Sequence, residues 1–452
     1  MNKKSHSHEF DVVVVGSGTS AYYAVDGLRK AGRKIAIIDD RPFGGTCALR
    51  GCQPKKYLVC NAEAVAMAEH LVGKGIAEAP RTDWKALQAL KNEFLEGRSE
   101  DEVKDWEEQG IATFHGHAVM ISENEIRIGD EVLRADHIVL ATGAKARRTE
   151  MPGAEHISIS DDFLDLPELP ERIVFIGGGY ISFEFAHVAA RAGAKEVTIL
   201  QRSERVLKAF DCDIVDTILE ASEEAGIRVV LNESPVSVEK TSSGFIVTGE
   251  AGEVYETDLV IEATGRVPNI SVLEGGLGNV EHSKKGIAVN RFMQSVSNPR
   301  VYAIGDCTAG SMMLAPVADA EGKIAARNIQ EGNVSEMDYS VIPSAVFTIP
   351  SIGSVGLTEA QAREKGLDFR VNQGTTTGWA SSKRIGETHS AYKVLIETGT
   401  NQILGAHIAR HNASEAINVL ALAMKHHIKA ADLAEFMWAY PTITSDLKNM
   451  VK

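Results

Sequence analysis

The chain runs twice through apolar strand, glycine-rich turn, amphipathic helix and second strand, and this duplicated unit constrains the fold more than any other feature. The first copy, DVVVVGSGTSAYYAVDGLRKAGRKIAIIDD, sets a strand at residues 12–15, the small residues Gly16, Gly18 and Ala21 in and just after the turn, and Asp39 at the end of the next strand, 23 residues beyond Gly16. Gly16 makes the tight turn, Gly18 lets the backbone approach a pyrophosphate, and Ala21 keeps helix and strand close. The helix N-terminus then offers free N–H groups and a positive dipole end to the phosphates. Strand, turn, helix and acid fall in the order of a dinucleotide-binding unit.

The second copy, ERIVFIGGGYISFEFAHVAARAGAKEVTILQRS, repeats the strand at 173–176, Gly177 and Gly179 in the turn, Ser182 at the third small position and a strand at 197–200. It closes differently, with Gln201 and Arg202 where an acid would stand and Arg205 and Lys208 close behind. An acid accepts from a free 2′-hydroxyl and repels a 2′-phosphate, whereas Arg does the reverse, so this end favours NADPH over NADH. The plainer alternative is a solvated charged face. Two such units imply two dinucleotide cofactors.

With 452 residues, 44% of them hydrophobic, the chain has core enough for about three domains. Its net charge of -15, from 47 basic and 62 acidic residues, opposes nucleic acid and anionic lipid. No apolar run approaches the roughly 20 residues of a membrane span, and the polar start, residues 1–10, lacks the apolar stretch of a secretory signal, so the reading is a soluble, cytoplasmic protein. Pro/Gly punctuation at 151–156, 166–171, 265–269 and 333–343 divides the chain into 1–150, 151–270, 271–337 and 338–452. The last segment alternates strands (345–348, 391–397, 402–409) with helices (414–427, 430–439), an α+β domain.

The run GGTCALRGCQPKKYL carries Cys47 and Cys52. In a regular helix their Cα atoms would differ by about 7.5 Å in height and roughly 140° in azimuth, too far for a disulfide, so the backbone must leave the helix between them. Gly51 supplies that freedom, and Pro54 suits the first turn of a helix starting after Cys52. A thiol at a helix N-terminus has its thiolate stabilised by the dipole, and Lys55 or Lys56 adds to this. A close Cys pair in a reducing compartment means redox or metal chemistry; no further Cys or His cluster with zinc spacing occurs, so no metal site is expected. Cys60, Cys212 and Cys307 read as packing residues.

Order and wording along almost the whole chain resemble the flavoprotein pyridine-nucleotide-disulfide oxidoreductases of the glutathione reductase, dihydrolipoamide dehydrogenase and mercuric reductase group. The resembling runs include GSGTSA, GGTCALRGCQPKK, LATGA, GGGYISFE, EATGRVPN, YAIGDC, MLAPVADAEG, VGLTEAQA and YPTITSD. The resemblance implies an α/β fold of two Rossmann-like domains, for FAD and NAD(P), plus a C-terminal α+β dimerisation domain. It places FAD at Gly16, Gly18, Ala21, Asp39, Gly45, Thr46, Gly143, Asp306 and Ala315. NADPH falls at Gly177, Gly179, Tyr180, Arg202, Lys208 and Gly265, with Tyr180 gating the nicotinamide pocket. One of Lys55 and Lys56 pairs with Glu184 beside the flavin. A homodimer mixes both chains in each active site. NADPH reduces FAD, FAD reduces Cys47–Cys52, and Cys47 meets the acceptor while Cys52 lies against the flavin.

One departure concerns the proton. Where the family has HPTxxE this chain has YPTITS, so Tyr440 replaces the His and Ser445 the Glu. A phenol with a reference pKa of about 10 is a poor general base at pH 7, and losing a positioned acid/base costs ~10²–10⁴ in rate. Oxidised glutathione and lipoamide are therefore expected to be poor substrates, unless Asp446, His407, His411, His426 or His427 substitutes. The expected acceptor is small and thiol-reactive: an activated disulfide, a persulfide or polysulfide, or another with a good leaving group. Alternatives are an electron-transfer flavoprotein serving a protein or quinone, mercuric-reductase-like metal reduction, which the absence of Cys after Cys307 argues against, and a low-turnover redox sensor.

Overall fold

A computed structural model describes residues 6–452; the first five residues of the polar start lie outside the described residues. The chain forms two compact units, the first comprising Met1–Lys55, Lys91–Arg147 and Arg266–Asp338, the second Lys56–Leu90, Arg148–Gly265 and Tyr339–Lys452.

In the first unit β1 (His6–Val15), α1 (Thr19–Lys30) and β2 (Ile35–Asp39) realise the first repeat. The valines at 12–15 are buried, as a parallel strand covered on both faces requires. α1 buries Ala21, Ala24, Val25 and Leu28, one stripe of helical period. Strand Ala112–His115 flanks β2, and Glu131–Leu140 runs parallel to β1 on its other side, followed by Val301–Ala303. The chain thus builds outward on both sides of β1, and the gap between β1 and Glu131–Leu140 is the switch point where open α/β sheets take their ligands. β1 begins at His6, ahead of its apolar run, because residues 6–10 pair with residues 131–135; a polar ladder leaves no hydrophobic pattern to read.

The second unit repeats the arrangement in a parallel sheet ordered Ile227–Leu231, Glu196–Gln201, Arg172–Ile176, Leu259–Glu262, Ser158–Ile159. It also holds an antiparallel sheet ordered Ser344–Val346, Ser351–Gly356, Ile403–Arg410, Ala391–Glu397, Phe369–Gly374, which packs against helix Ala413–Lys425. Residues 56–90 belong to this unit, not with the strands of the first repeat: Leu58, Val59, Ala62 and Trp84 share a core with Phe163, Phe175 and Phe183.

Two expectations change. The last predicted helix, 430–439, stops at Glu435, where Phe436 turns extended (φ -61°, ψ 144°). Cys60 and Cys212 are exposed, and only Cys307 is a buried packing thiol. Among the described residues, no helix is long and apolar enough to cross a membrane.

Candidate active site

Each glycine turn is wedged against backbone at its switch point. A Cβ on Gly16 (φ +106°) would lie 2.2 Å from the Ala141 carbonyl oxygen, and one on Gly177 (φ +103°) 2.7 Å from that of Ala263. Both carbonyls belong to an Ala-Thr-Gly tripeptide, residues 141–143 and 263–265, a second repeat that sequence reasoning passed over. The strand-end residue fastens each turn: Asp39 Oδ2 accepts from Ser17 N at 2.8 Å, and Gln201 Oε1 from Gly178 N at 2.8 Å.

The first unit fits FAD. Gly45 (φ +69°) backs onto Gly18, where a Cβ would fall 2.3 Å from its Cα, so the two turns form a cradle of bare backbone. Gly143 (φ +64°) faces open space. Asp306 sits in the turn Gly305–Cys307, and burial pushes its carboxyl above the usual range, with Arg266 opposing. A half-buried carboxyl of this kind suits a hydroxylated ligand. Ala315 opens helix Ala315–Glu331, and Thr46, next to Gly45 in the chain, is half-buried.

The cysteines stand in successive helices, α2 (Gly45–Arg50) and α3 (Cys52–His70), broken at Gly51. A Cβ on Gly51 would press to 2.8 Å from the Thr46 carbonyl oxygen, so the close return of the chain depends on that glycine. The Cys47 thiol is hydrogen-bonded to Cys52 and its pKa is raised far above the ordinary range, first by that bond, then by burial and by the charges of Cys52 and Asp319. Lys55 acts in the opposite sense. The Cys47 thiol thus resists ionisation. Asp319 is itself bonded by the Thr19 hydroxyl at the start of α1, a participant the sequence did not announce.

In the second unit Glu184 is buried and its Oε1 accepts the N–H of Phe347 at 2.9 Å. Lys56 lays its ammonium 4.1 Å over the Phe347 ring and pairs with Glu63 at 4.0 Å. Tyr180 begins helix Tyr180–Ala192 and is 44% exposed. Past Gln201 an open recess is lined by Ser203, Glu204, Arg205, Lys208 and Asn232; Arg202 is exposed and outside that lining. Gly265 (φ +119°) faces open space.

Tyr440 is 76% exposed, with Lys448 Nζ 5.8 Å from its ring centre. Ser445 is buried and donates to the Thr442 carbonyl at 2.6 Å, so it fastens its own loop. Asp446 accepts from Arg410 at 2.9 Å. His407 is buried between Ser354 Oγ (2.7 Å) and the Leu357 carbonyl (2.9 Å), and burial lowers its pKa. His411 is half-buried, and His426 and His427 are exposed at the end of helix Ala413–Lys425.

Residues 10–322 match the family model "Pyridine nucleotide-disulphide oxidoreductase", and residues 342–451 match its dimerisation domain. The chain is 32% identical over 448 residues to a mercuric reductase of Staphylococcus aureus, covering 97% of this chain and 81% of that one. It is 31% identical over 466 residues to a glutathione reductase of Nostoc sp., covering 98% and 99%. The HOCl-induced flavoprotein disulfide reductase RclA of Escherichia coli has a similar structure, with a TM-score of 0.87, 25% identity and coverage of 98% and 99%. Fold, glycine cradles, cysteine pair and these likenesses agree: this is an NAD(P)H-dependent flavoprotein disulfide oxidoreductase using FAD and NADPH, and the chain belongs to the pyridine nucleotide-disulphide oxidoreductase family.

Proposed function

We propose that this enzyme reduces a small thiol-reactive acceptor whose first leaving group departs as a thiolate unaided: an activated disulfide, a persulfide or a polysulfide. Oxidised glutathione and lipoamide are poor substrates. The observation that carries this reading is that the groups beside Tyr440 are committed elsewhere: Asp446 accepts from buried Arg410 at 2.9 Å, and Ser445 fastens its own loop. When Cys47 attacks a disulfide RSSR′, its proton passes to Cys52, the new bond is Cys47–S–S–R, and R′S⁻ leaves without a donor. Cys52 then attacks the Cys47 sulfur, the Cys47–Cys52 bond forms, and its proton goes to the departing RSH. Two electrons move from the dithiol to the acceptor. Only the first departure lacks a proton, so its rate climbs as the leaving thiol becomes more acidic.

The rest of the chain supports this reading. Asp446 is committed to buried Arg410, His407 is a satisfied core residue, and Tyr440 supplies a hydrogen bond at most. FAD, held by Gly16, Gly18, Ala21, Asp39, Gly45, Thr46, Gly143, Asp306 and Ala315, supplies the two-electron link between nucleotide and disulfide. NADPH is bound by Gly177, Gly179, Tyr180, Gly265, Arg202 and Lys208, with Arg205 added. One of Lys55 and Lys56 takes the role beside the flavin. The dimerisation domain serves a homodimer whose partner contributes the Tyr440 loop to the acceptor site, and the enzyme works in the cytoplasm.

Steady-state rates against disulfides of graded leaving-group pKa test the proposal. A steep rise as that pKa falls is expected, and rapid turnover of oxidised glutathione would overturn it.

A further inference from the structure

A second acid sits in the FAD cradle beside Asp39. Glu102, on helix Arg98–Glu108, lies with Oε2 3.2 Å from where a Cβ on Gly44 (φ +119°) would be, so its carboxyl rests directly on that glycine. Gly44 N donates to Ser17 Oγ at 3.1 Å, and Ser17 Oγ donates to Asp39 Oδ2 at 2.6 Å. The next residue is Gly45, which backs onto Gly18. Glu102 is thus the outer wall of the turn that shapes the cradle. Trp106 Nε1 donates to Glu102 Oε1 at 3.4 Å. The charges that act on Glu102 are Asp39, at the end of β2, and Asp105, on its own helix, and both are negative.

We propose that Glu102 is a positioning residue for FAD that holds the Gly44–Gly45 turn as a neutral carboxylic acid, so that the enzyme retains its flavin more tightly below neutrality than above it. Ionised, Glu102 adds a negative charge beside Asp39 and beside a cofactor that brings a diphosphate, and like charges in a partly desolvated site repel strongly. The carboxyl is pushed up to about 7, chiefly by burial, which puts the change within the working range of the enzyme. By linkage, FAD in turn favours the protonated form, so binding flavin above that pH takes up a proton.

The test measures FAD dissociation from the holoenzyme by flavin fluorescence after dilution, from pH 6 to 8.5. The wild type is expected to lose affinity about tenfold across that range. Glu102→Gln, a neutral isostere, should bind as the wild type does at pH 6 and vary less than about twofold, and Trp106→Phe should move the midpoint to higher pH, because the Trp106 hydrogen bond favours ionisation. A flat wild-type profile, or an unchanged slope in Glu102→Gln, overturns the proposal. Should Glu102→Gln not fold, proton uptake on flavin rebinding to wild type at pH 8, measured calorimetrically in two buffers, decides: near-zero uptake overturns it too.

Discussion

Gln201 stands where the first repeat has Asp39, and its carboxamide is spent inside the protein, accepting from Gly178 N at 2.8 Å and donating to the Arg205 carbonyl at 3.1 Å. The strand-end residue is a turn fastener in both repeats, and in the second it has nothing left for a ribose. In the proposed function, a 2′-phosphate is met by the recess that holds Arg205 and Lys208.

Replacing either Arg205 or Lys208 with Ala should raise KM for NADPH about 10–100-fold, the worth of a charge-assisted contact, with kcat and the NADH parameters nearly unchanged. Glu204 in the same recess opposes the phosphate, so Glu204→Gln should lower KM for NADPH. Steady-state kinetics with both nucleotides checks all three.

Cys47→Ser should abolish disulfide reduction, by at least about 10³, while quinone reduction survives. Cys52→Ala removes the largest cause of the raised Cys47 pKa, the hydrogen bond, and leaves burial in place, so Cys47 should be alkylated faster at pH 8 than in the reduced wild type. Site-resolved mass spectrometry of iodoacetamide adducts reads this directly, and slower labelling of Cys47 would contradict this expectation.

The Arg410 side chain is fully buried against Asp446. Asp446→Ala leaves that guanidinium uncompensated and should cost about 3–5 kcal/mol in chemical denaturation. If Asp446 were the missing acid/base, its removal would instead change the pH–rate profile; the shape of that profile is expected to stay the same.

His187 is fully buried, 3.1 Å from Ser222 Oγ, and burial pushes its pKa down to about 3 from 6.5. A base depressed by folding contributes stability that is complete above 6.5 and is lost as pH falls towards the folded value, because the unfolded chain takes up the proton first. His70, His137 and His407 are lowered by burial in the same sense. Tm should fall between pH 7.5 and pH 5, and His187→Gln should remove part of that fall.

Local chemistry decided what the sequence could reveal. Valines at 12–15, the glycines of both turns and the Cys47–Gly51–Cys52 spacing act over a few residues, where period, φ and helix geometry leave little choice, so both repeats and the break in the helix between the two cysteines were legible. So was the loss of the His-Glu pair at Tyr440 and Ser445. Only the tertiary structure settled the rest, because it depends on which distant groups meet. It decided that Asp446 goes to Arg410, that Lys56 goes to Phe347 and Glu63, and that Arg205 rather than Arg202 lines the recess. It also decided that residues 58–62 find their core with Phe163 and Phe175. A side chain's partner, and hence its proton, is set by burial and by neighbours hundreds of residues away, which no short stretch of sequence encodes.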